Sequence, residues 1–230
     1  MEIKLKKQKL QLTKESEEYL ETIYKLQKRN GIAKTSEIAR QLNVALGSVT
    51  NTIENLERRG LIEHKPYKGV KLTEKGMKEA LKVLRKHRLA ERLLTDALKM
   101  KWSEVHEAAC SLEHALTEEI LRHIEKALGY PKKCPHGNPI PTDKGEIQEE
   151  KSYPLTLLKI KETAEIVKIT EESSEKLRVL EKYGLKPGTK LNLIDKSFRE
   201  GFIELKIGAT CLKLDLETAS GIWVRRENYD

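Results

Sequence analysis

Six side chains of the types that bind metal ions lie on two predicted helices in the middle of the chain. His87 and Glu91, four residues apart, share one face of the first helix. The second helix carries four more at positions i, i+4, i+7 and i+8, which fall on one stripe: His106, Cys110, Glu113 and His114. Imidazole, thiolate and carboxylate groups are the ligands of divalent transition metals, and packing alone does not need so many of them. The spacing therefore predicts a metal centre.

The alternative is that these residues are ordinary core and surface side chains. A single His or Cys on a helix face is more often packed than ligated, and neither His-Glu-x-x-His nor Cys-x-x-Cys occurs in the chain. The number of donors favours the metal. Cys134 and His136 form a second Cys and His pair in the segment 131–141, which is rich in Pro and Gly. For this segment we favour a structured loop over a metal site.

Composition points to a nucleic acid as partner. The 230 residues carry a net charge of +8, and the excess of Lys and Arg lies in the first hundred residues. No apolar run is long enough to span a bilayer, and the Lys-rich start lacks the apolar segment of a signal peptide. We therefore expect a cytoplasmic protein with no membrane partner. The odd, widely spaced cysteines favour reduced thiols over a disulfide framework.

The first third of the chain has the pattern of a winged helix-turn-helix. Thr35 is expected to cap a short helix, residues 43–45 form a turn, and a second helix covers residues 46–59. Gly60 ends that helix, and residues 61–72 predict two short strands around a basic turn. A hairpin directly after the second helix would be the wing.

Candidate DNA contacts come from three places in this pattern, which are the start of the first short helix, the second helix and the wing. Small or amide-bearing side chains on the second helix suit base edges in a major groove, and lysines in the wing suit phosphates. The candidates are Thr35, Ser36, Gly47, Ser48, Thr50, Asn51, Lys65 and Lys68.

Helical and then β patterns follow. Apolar residues at helical spacing predict helices over about 74–100, 103–115 and 117–128, and so apolar a surface favours pairing with a second copy of the chain. Residues 142–152 are polar and acidic, as in a linker. Five short β runs and one helix, about 174–182, then predict a small antiparallel barrel.

The order of these motifs resembles the DtxR/IdeR metal-dependent repressors, which are related to the manganese-type MntR proteins. The residues that carry the resemblance are Arg-Lys-His-Arg-Leu-Ala-Glu-Arg-Leu-Leu, His-Glu-Ala-Ala-Cys-Ser-Leu-Glu-His and Gly-Asn-Pro-Ile-Pro. The match extends over nearly the whole chain and is most specific over residues 73–141.

The resemblance implies a multidomain, mostly α-helical protein. We expect an N-terminal winged helix-turn-helix domain at residues 1–76 and an α-helical dimerisation and metal domain at 77–145. A linker at 146–155 and a C-terminal SH3-like, or FeoA-like, β-barrel at 156–230 would complete the chain.

The resemblance also implies two metal ions per subunit. The ancillary site would use His87, Glu91 and His106, with Glu172 and Glu175 from the third domain. The primary, regulatory site would use Glu18, Glu21, Cys110, Glu113 and His114. Iron-type members have Met at the position of Glu18, whereas manganese-type members have a carboxylate there and a Glu at the position of Glu21. The predicted site is thus a hybrid of the two types.

The donor types favour iron as the metal. A thiolate at Cys110 suits Fe²⁺, Co²⁺, Ni²⁺ or Zn²⁺, while the carboxylate of Glu18 suits Mn²⁺ or Fe²⁺, so Fe²⁺ satisfies both. Mn²⁺ is the alternative, and Co²⁺, Ni²⁺ and Zn²⁺ are possible surrogates. The implied function is a homodimeric, metal-dependent repressor on a double-stranded operator with paired half-sites, and not an enzyme.

Two other functions compete with this one. A metallohydrolase tethered to DNA would need an open coordination position and a general base, and no residue beyond the ligands suggests that base. A zinc-structural helix-turn-helix protein would bind DNA constitutively and unfold on chelation.

Overall fold

The computed structural model describes residues 12–226, which form two compact units with the boundary between Leu84 and Arg85. The three-domain division at 76, 145 and 155 stays a prediction. Among the described residues, no helix is both long and apolar enough to cross a bilayer.

The first unit begins with three helices and a β-hairpin. The helices are α1 (Lys14–Asn30), α2 (Thr35–Leu42) and α3 (Leu46–Arg58), and the hairpin strands are β1 (Ile62–Lys65) and β2 (Gly69–Leu72). The side chain of Thr13 accepts a hydrogen bond from the amide of Ser16, as expected for the cap of α1. The apolar faces of the three helices form the core: Tyr19, Leu20, Ile23, Ile38, Val49, Ile53 and Leu56.

The structure corrects two details of this unit. Lys34 is the N-cap of α2, and Thr35 is the first helical residue, so Thr35 does not cap the helix. Because Lys34 already has extended backbone angles, the chain turns into the helix one residue earlier than the side-chain preference of Thr35 suggests. Helix α3, predicted over residues 46–59, ends one residue earlier, and Arg59 is its C-cap.

The second unit contains the helices that carry the predicted ligands. Helix α4 (Glu74–Arg92) crosses the boundary between the units and continues into a π-helical turn at Leu93–Ala97, so it does not reach residue 100 as predicted. Helix α5 covers Val105–Leu112 and ends in a 3₁₀ turn at Glu113–Ala115. Helix α6 (Glu118–Ala127) follows, and the side chain of its N-cap Thr117 accepts from the amide of Ile120.

The rest of the second unit is a six-stranded antiparallel sheet with two helices. The hydrogen-bonded order of its strands is β3-β8-β4-β5-β6-β7. This sheet is the FeoA-like β domain expected from the sequence. The elements are β3 (Tyr153–Pro154), β4 (Thr163–Ile169), α7 (Ser174–Lys182), β5 (Lys190–Ser197), β6 (Phe202–Ile207), β7 (Thr210–Asp215), α8 (Leu216–Ser220) and β8 (Ile222–Arg226). A 3₁₀ turn at Leu155–Leu157 separates β3 from β4.

One tryptophan joins the helical part of this unit to the sheet. Trp102, just before α5, is 6% exposed and belongs to the same buried cluster as Leu155, Ile166 and Leu191 of the sheet region. The predicted linker also lies against the sheet, because its residues Tyr153–Pro154 form β3 and pair with β8. The last residues of the predicted linker thus form part of the sheet, while the linker at 146–155 as a domain boundary stays a prediction.

Replacing Trp102 by Ala should destabilise the second unit strongly. Removal of a buried indole leaves a cavity and costs about 3–5 kcal/mol of unfolding free energy. Urea unfolding measures this loss. Trp223→Ala is the matched control: its indole is half-buried on β8, so it should cost about 1–2 kcal/mol. Equal losses would contradict the central position of Trp102.

Candidate metal centre

Helices α4 and α5 bring the predicted donors together. The apolar residues Leu89, Ala90 and Leu94 of α4 pack in one cluster with Val105 and Ala109 of α5. The polar positions between them then face each other across the helix pair. His87 and Glu91 stand on α4, His106 and Cys110 on α5, and Glu113 and His114 in the 3₁₀ turn that ends α5.

His87 lies at the middle of this group. Its Nδ1 atom is 2.6 Å from Oε2 of Glu113 and 3.9 Å from Sγ of Cys110. Its Nε2 atom is 3.1 Å from Nδ1 of His106 and 3.3 Å from Oε1 of Glu91. The Cys110 sulfur is also 3.7 Å from Nε2 of His106. His87 thus contacts residues of both predicted sites.

His114 and Glu172 lie at the edges of the group. Nε2 of His114 is 3.3 Å from Oε1 of Glu113. Oε2 of Glu172, before α7, is 3.8 Å from Nε2 of His106, so the sheet domain does bring one of its two predicted carboxylates to the centre. Glu175 is exposed on α7, and no ion pair or hydrogen bond in the described part of the chain joins it to His106. Its role as a ligand stays a prediction.

Glu18 and Glu21 are on α1, in the first unit. Within that unit, Nζ of Lys14 is 3.7 Å from Oε1 of Glu18, and Nζ of Lys25 is 3.0 Å from Oε1 of Glu21. Their participation in the centre also stays a prediction.

A second donor group includes Cys134 and His136, which the sequence argument assigned to a loop and not to a metal. Glu91, Cys134 and His136 are all buried, and their ligand atoms lie within 4.8 Å of one another. The segment 131–141 is the structured loop that we favoured: the amide of Cys134 donates to the carbonyl of Asn138, and that of Gly137 donates to the carbonyl of Cys134. The same loop also places Nδ1 of His136 3.1 Å from Oε1 of Glu91.

Two arginines of α4 hold this loop. Arg85 donates from Nη1 to the carbonyl of Pro141 at 3.0 Å, and Arg88 donates from Nη1 to the carbonyl of Pro139. The Arg-Lys-His-Arg and Gly-Asn-Pro-Ile-Pro motifs are thus one structural element. The sequence signal for Cys134 and His136 as donors was their spacing, one residue apart, and the structure adds Glu91 of α4 as their acidic neighbour.

A backbone carbonyl fixes the tautomer of His136. Nε2 of His136 is 3.1 Å from the carbonyl oxygen of Trp102, which can only accept, so Nε2 carries a hydrogen. The other nitrogen, Nδ1, is then the one available to a metal. Such a partner on the far side of the ring is typical of metal-binding histidines.

The pKa values reflect this crowding of acids and bases. Burial would lower the pKa of His106, but hydrogen bonds to Cys110 and Glu91 outweigh it and raise the pKa to about 9. Burial likewise opposes a charge on His136, but contacts with Cys134 and Glu91 raise its pKa to about 10. Glu91 is the converse: burial disfavours its charge, yet the adjacent imidazoles hold its pKa well below the ordinary value.

His87 and Cys110 follow the same rule. Burial disfavours the charged form of each, but the charge of Glu91 raises the pKa of His87 well above its ordinary value, and the two imidazoles lower the pKa of the Cys110 thiol. In the metal-free protein, protons on the imidazoles thus compensate the negative charge of the acids.

The donor set fits a divalent transition-metal ion. Two imidazole nitrogens, Nε2 of His87 and Nδ1 of His106, face each other at 3.1 Å, so only one of them can carry a hydrogen there, and a metal ion would take the place of that hydrogen. The group with Cys110 offers two nitrogens and one sulfur within 4.8 Å, the donor mixture that iron, cobalt and zinc accept.

Comparisons with known proteins agree with this architecture. Residues 11–70 match the iron dependent repressor N-terminal DNA binding domain, 73–142 its metal binding and dimerisation domain, and 153–226 the FeoA domain. The diphtheria toxin repressor of Corynebacterium efficiens is 30% identical over 200 residues, covering 80% of this chain and 84% of that protein. The chain belongs to the DtxR/IdeR family.

Other relatives support the same membership. The iron-dependent repressor IdeR of Mycobacterium bovis is 41% identical over 131 residues, which is 57% of this chain and 57% of that protein, so this match spans little more than half its length. The solved structure of a manganese-dependent transcriptional repressor in complex with manganese aligns with a TM-score of 0.87 at 28% identity, over 92% of this chain and all of that one. The crystal structure of T. acidophilum IdeR aligns with a TM-score of 0.81 at 31% identity, over 94% of this chain and 99% of that one. The family consists of metal-dependent transcriptional repressors and not of enzymes.

The candidate DNA contacts of this family member lie on the surface of the first unit. Ser36, Gly47, Ser48, Thr50 and Asn51 are exposed, and Thr35 is half-buried. The side chain of Thr50 donates to the carbonyl of Leu46, one turn earlier on α3. Lys65 and Lys68 are exposed in the wing. Each stays a prediction as a DNA contact.

Metal binding near neutral pH should release protons. In the metal-free protein the raised pKa values keep His106 and His136 protonated at pH 7, so a metal ion must displace those protons, and affinity should rise by about tenfold per pH unit for each proton lost. Titration calorimetry in buffers of different ionisation enthalpy counts the protons.

His106→Gln should reduce the proton count by about one. His123→Gln is the control, because His123 is exposed on α6, outside the centre, and its replacement should leave the count unchanged. An observed binding enthalpy that does not depend on the buffer would contradict the protonated state of the centre.

Proposed function

We propose that this protein is a cytoplasmic, homodimeric repressor that binds its operator when a divalent metal ion, Fe²⁺ in the first place, occupies the centre between α4 and α5. The observation that supports it best is the group formed by His87, His106 and Cys110, beside the buried acids Glu91 and Glu113, in a chain whose first unit is a winged helix-turn-helix. Mn²⁺ is the alternative activator.

We assign the regulatory site to five residues of both units. Cys110, Glu113 and His114 would bind from the end of α5, and Glu18 and Glu21 would bind from α1. The ancillary site would use His87, Glu91 and His106, with Glu172 close to His106 and Glu175 as a further candidate. Two ions per subunit would then be bound.

A second partition of the same donors is favoured by one observation. Nδ1 of His87 faces Cys110 and Glu113, while Glu91 faces His136. His87 could therefore serve the regulatory ion, and Glu91 could bind the other ion together with Cys134 and His136. In both partitions Glu113 and Cys110 remain regulatory ligands.

The function of the centre follows from charge. A bound divalent ion supplies a fixed double positive charge beside the acids. Without it, the carboxylates of Glu18, Glu21 and Glu113 would repel one another if they approached. If ligands from α1 and α5 bound the same ion, the DNA-binding unit would be held in one orientation when metal is bound and would be released without it.

The proposed operator has paired half-sites because the proposed DNA-binding protein is a homodimer. Leu98, Ile120 and Tyr130 are large apolar or aromatic residues that stay exposed on the helical part of the second unit, as expected of a surface that pairs with a second copy. Two recognition helices related by a twofold axis then require two half-sites separated by about one or more helical turns.

DNA binding titrated with each metal under anaerobic conditions tests the function. We expect Fe²⁺ to raise affinity for a duplex selected from random sequences by about a hundredfold, the scale of a coupling of about 3 kcal/mol. Chelation should reverse the effect while the far-ultraviolet circular dichroism is retained. Unfolding on chelation would instead support a structural metal, and cleavage of the duplex would support a hydrolase.

The metal preference should change in opposite directions at two positions. Cys110→Ser replaces a soft thiolate by an oxygen donor, so activation should shift from Fe²⁺, Co²⁺ and Ni²⁺ towards Mn²⁺, and the thiolate-to-metal absorption band of the Co²⁺ protein should disappear. Glu18→Met should shift preference the other way. Cys211→Ser is the control, since Cys211 is exposed on β7 of the sheet. Normal activation of Glu18→Ala by every metal would contradict the assignment of Glu18.

A further inference from the structure

The wing has an aromatic residue at its tip that packs on nothing in the described chain. Tyr67 lies between β1 and β2, and its relative exposure of 108% is the largest among the exposed large hydrophobic residues described. An aromatic ring fully in water gains no burial energy, so its presence here needs a reason other than the stability of the unit.

The backbone at Tyr67 is also unfavourable for a residue with a side chain. The amide of Lys68 donates to the carbonyl of Lys65 at 2.9 Å, so residues 65–68 form a tight turn with Tyr67 in its third position. There Tyr67 has φ = 61°, the left-handed region that costs other residues about 1–2 kcal/mol and that glycine enters freely. Such outliers persist where function requires them.

The rest of the wing shows that glycine is used where the fold requires it. At Gly69, φ is +123° and an added Cβ atom would lie 2.5 Å from the carbonyl oxygen of Ala33. Ala33 and Val70 exchange two backbone hydrogen bonds, of 3.0 and 2.8 Å, which fix the hairpin close to its turn to the segment between α1 and α2. The strand next to the turn is therefore held in place with glycine at Gly69, whereas the tip of the turn carries tyrosine where glycine would be easier.

The surroundings of the tip are positive. Lys65 and Lys68 flank the ring and are exposed, as is Lys71 on β2. The hairpin begins directly after α3, to which it is joined by the hydrogen bond from the amide of Leu61 to the carbonyl of Leu56. Because the hairpin follows α3 so closely, a duplex whose major groove held α3 would also lie beside the hairpin. The charge excludes a basic partner and favours that polyanion.

From these observations we infer that Tyr67 is a DNA contact, whose ring packs against deoxyribose on the backbone next to each half-site while Lys65 and Lys68 bind the phosphates. The inference rests on the proposed DNA-binding function. A tyrosine suits such a position because its ring face is apolar and its hydroxyl can donate to a phosphate oxygen. The strained turn is then retained for binding and not for folding.

Substitution by residues that accept a positive φ separates binding from stability. Tyr67→Gly and Tyr67→Asn should each lower the affinity of the Mn²⁺-loaded full-length protein about tenfold, on a selected duplex and on a scrambled duplex of equal length, because deoxyribose is the same in both. The melting temperature of Tyr67→Gly should stay the same or rise by about 2–4 °C, as strain is relieved. Tyr67→Phe should keep most of the affinity.

The slope of affinity against salt adds a second readout. Tyr67 is neutral, so its removal should leave the slope unchanged, whereas Lys68→Ala should reduce it by about one. Lys161→Gly is the control: Lys161 also has a positive φ, 72°, and is exposed, but it lies just before β4 in the second unit, outside the proposed pairing surface and metal centre. Its replacement should relieve strain without changing DNA affinity.

The outcomes distinguish the inference from the proposed function. Affinity of Tyr67→Gly and Tyr67→Asn equal to that of the unsubstituted protein would overturn the contact, and a loss confined to the selected duplex would overturn the packing against deoxyribose. An equal loss in Lys161→Gly would overturn the role of the wing position. Failure of the unsubstituted protein to bind either duplex with any metal would overturn the proposed function, and the inference with it.

Discussion

The second unit depends on the compensation of one buried negative charge. The carboxylate of Glu91 is 3% exposed as a residue, and Oε1 lies 3.3 Å from Nε2 of His87, 3.8 Å from Nδ1 of His106 and 3.1 Å from Nδ1 of His136. An unpaired buried charge costs several kcal/mol, and the three imidazoles together compensate this one. Because they come from α4, α5 and the loop 131–141, the same charge that attracts a metal also fixes the relative positions of three segments.

This requirement reaches the sheet through Trp102. Its carbonyl accepts from Nε2 of His136, its indole Nε1 donates to the carbonyl of Pro135 at 2.9 Å, and its ring packs in the core of the sheet. The amide of Ile169, at the end of β4, donates to the carbonyl of His136 at 2.8 Å. The orientation of one imidazole at the metal centre is therefore tied to the packing of a domain that sequence patterns place beyond a linker. Glu172 makes a second connection from the same domain.

Local periodicity explains what the sequence could predict. His87 with Glu91, and His106 with Cys110, are neighbours along single helices, so their spacing is enough to place them, and the apolar faces of α1 and α3 follow in the same way. The meeting of His136 with Glu91 has no such local signal, since it depends on Arg85 and Arg88 holding the loop to α4. The π-helical turn at Leu93–Ala97 likewise has no signal in the helical periodicity, and it ends the helix before residue 100.

The two positions that make the proposed centre a hybrid differ in their electrostatic effect. A thiolate at Cys110 and a carboxylate in its place carry the same charge, so that exchange changes the softness of the donor and leaves the charge of the centre as it was. A carboxylate at Glu18 in place of a thioether adds a full negative charge. Residue 110 would thus determine which ion is preferred, while residue 18 would determine how strongly the acids repel one another without an ion. Metal identity and the strength of the metal-dependent switch could therefore change separately in evolution, and this chain combines the softer donor at one position with the greater negative charge at the other.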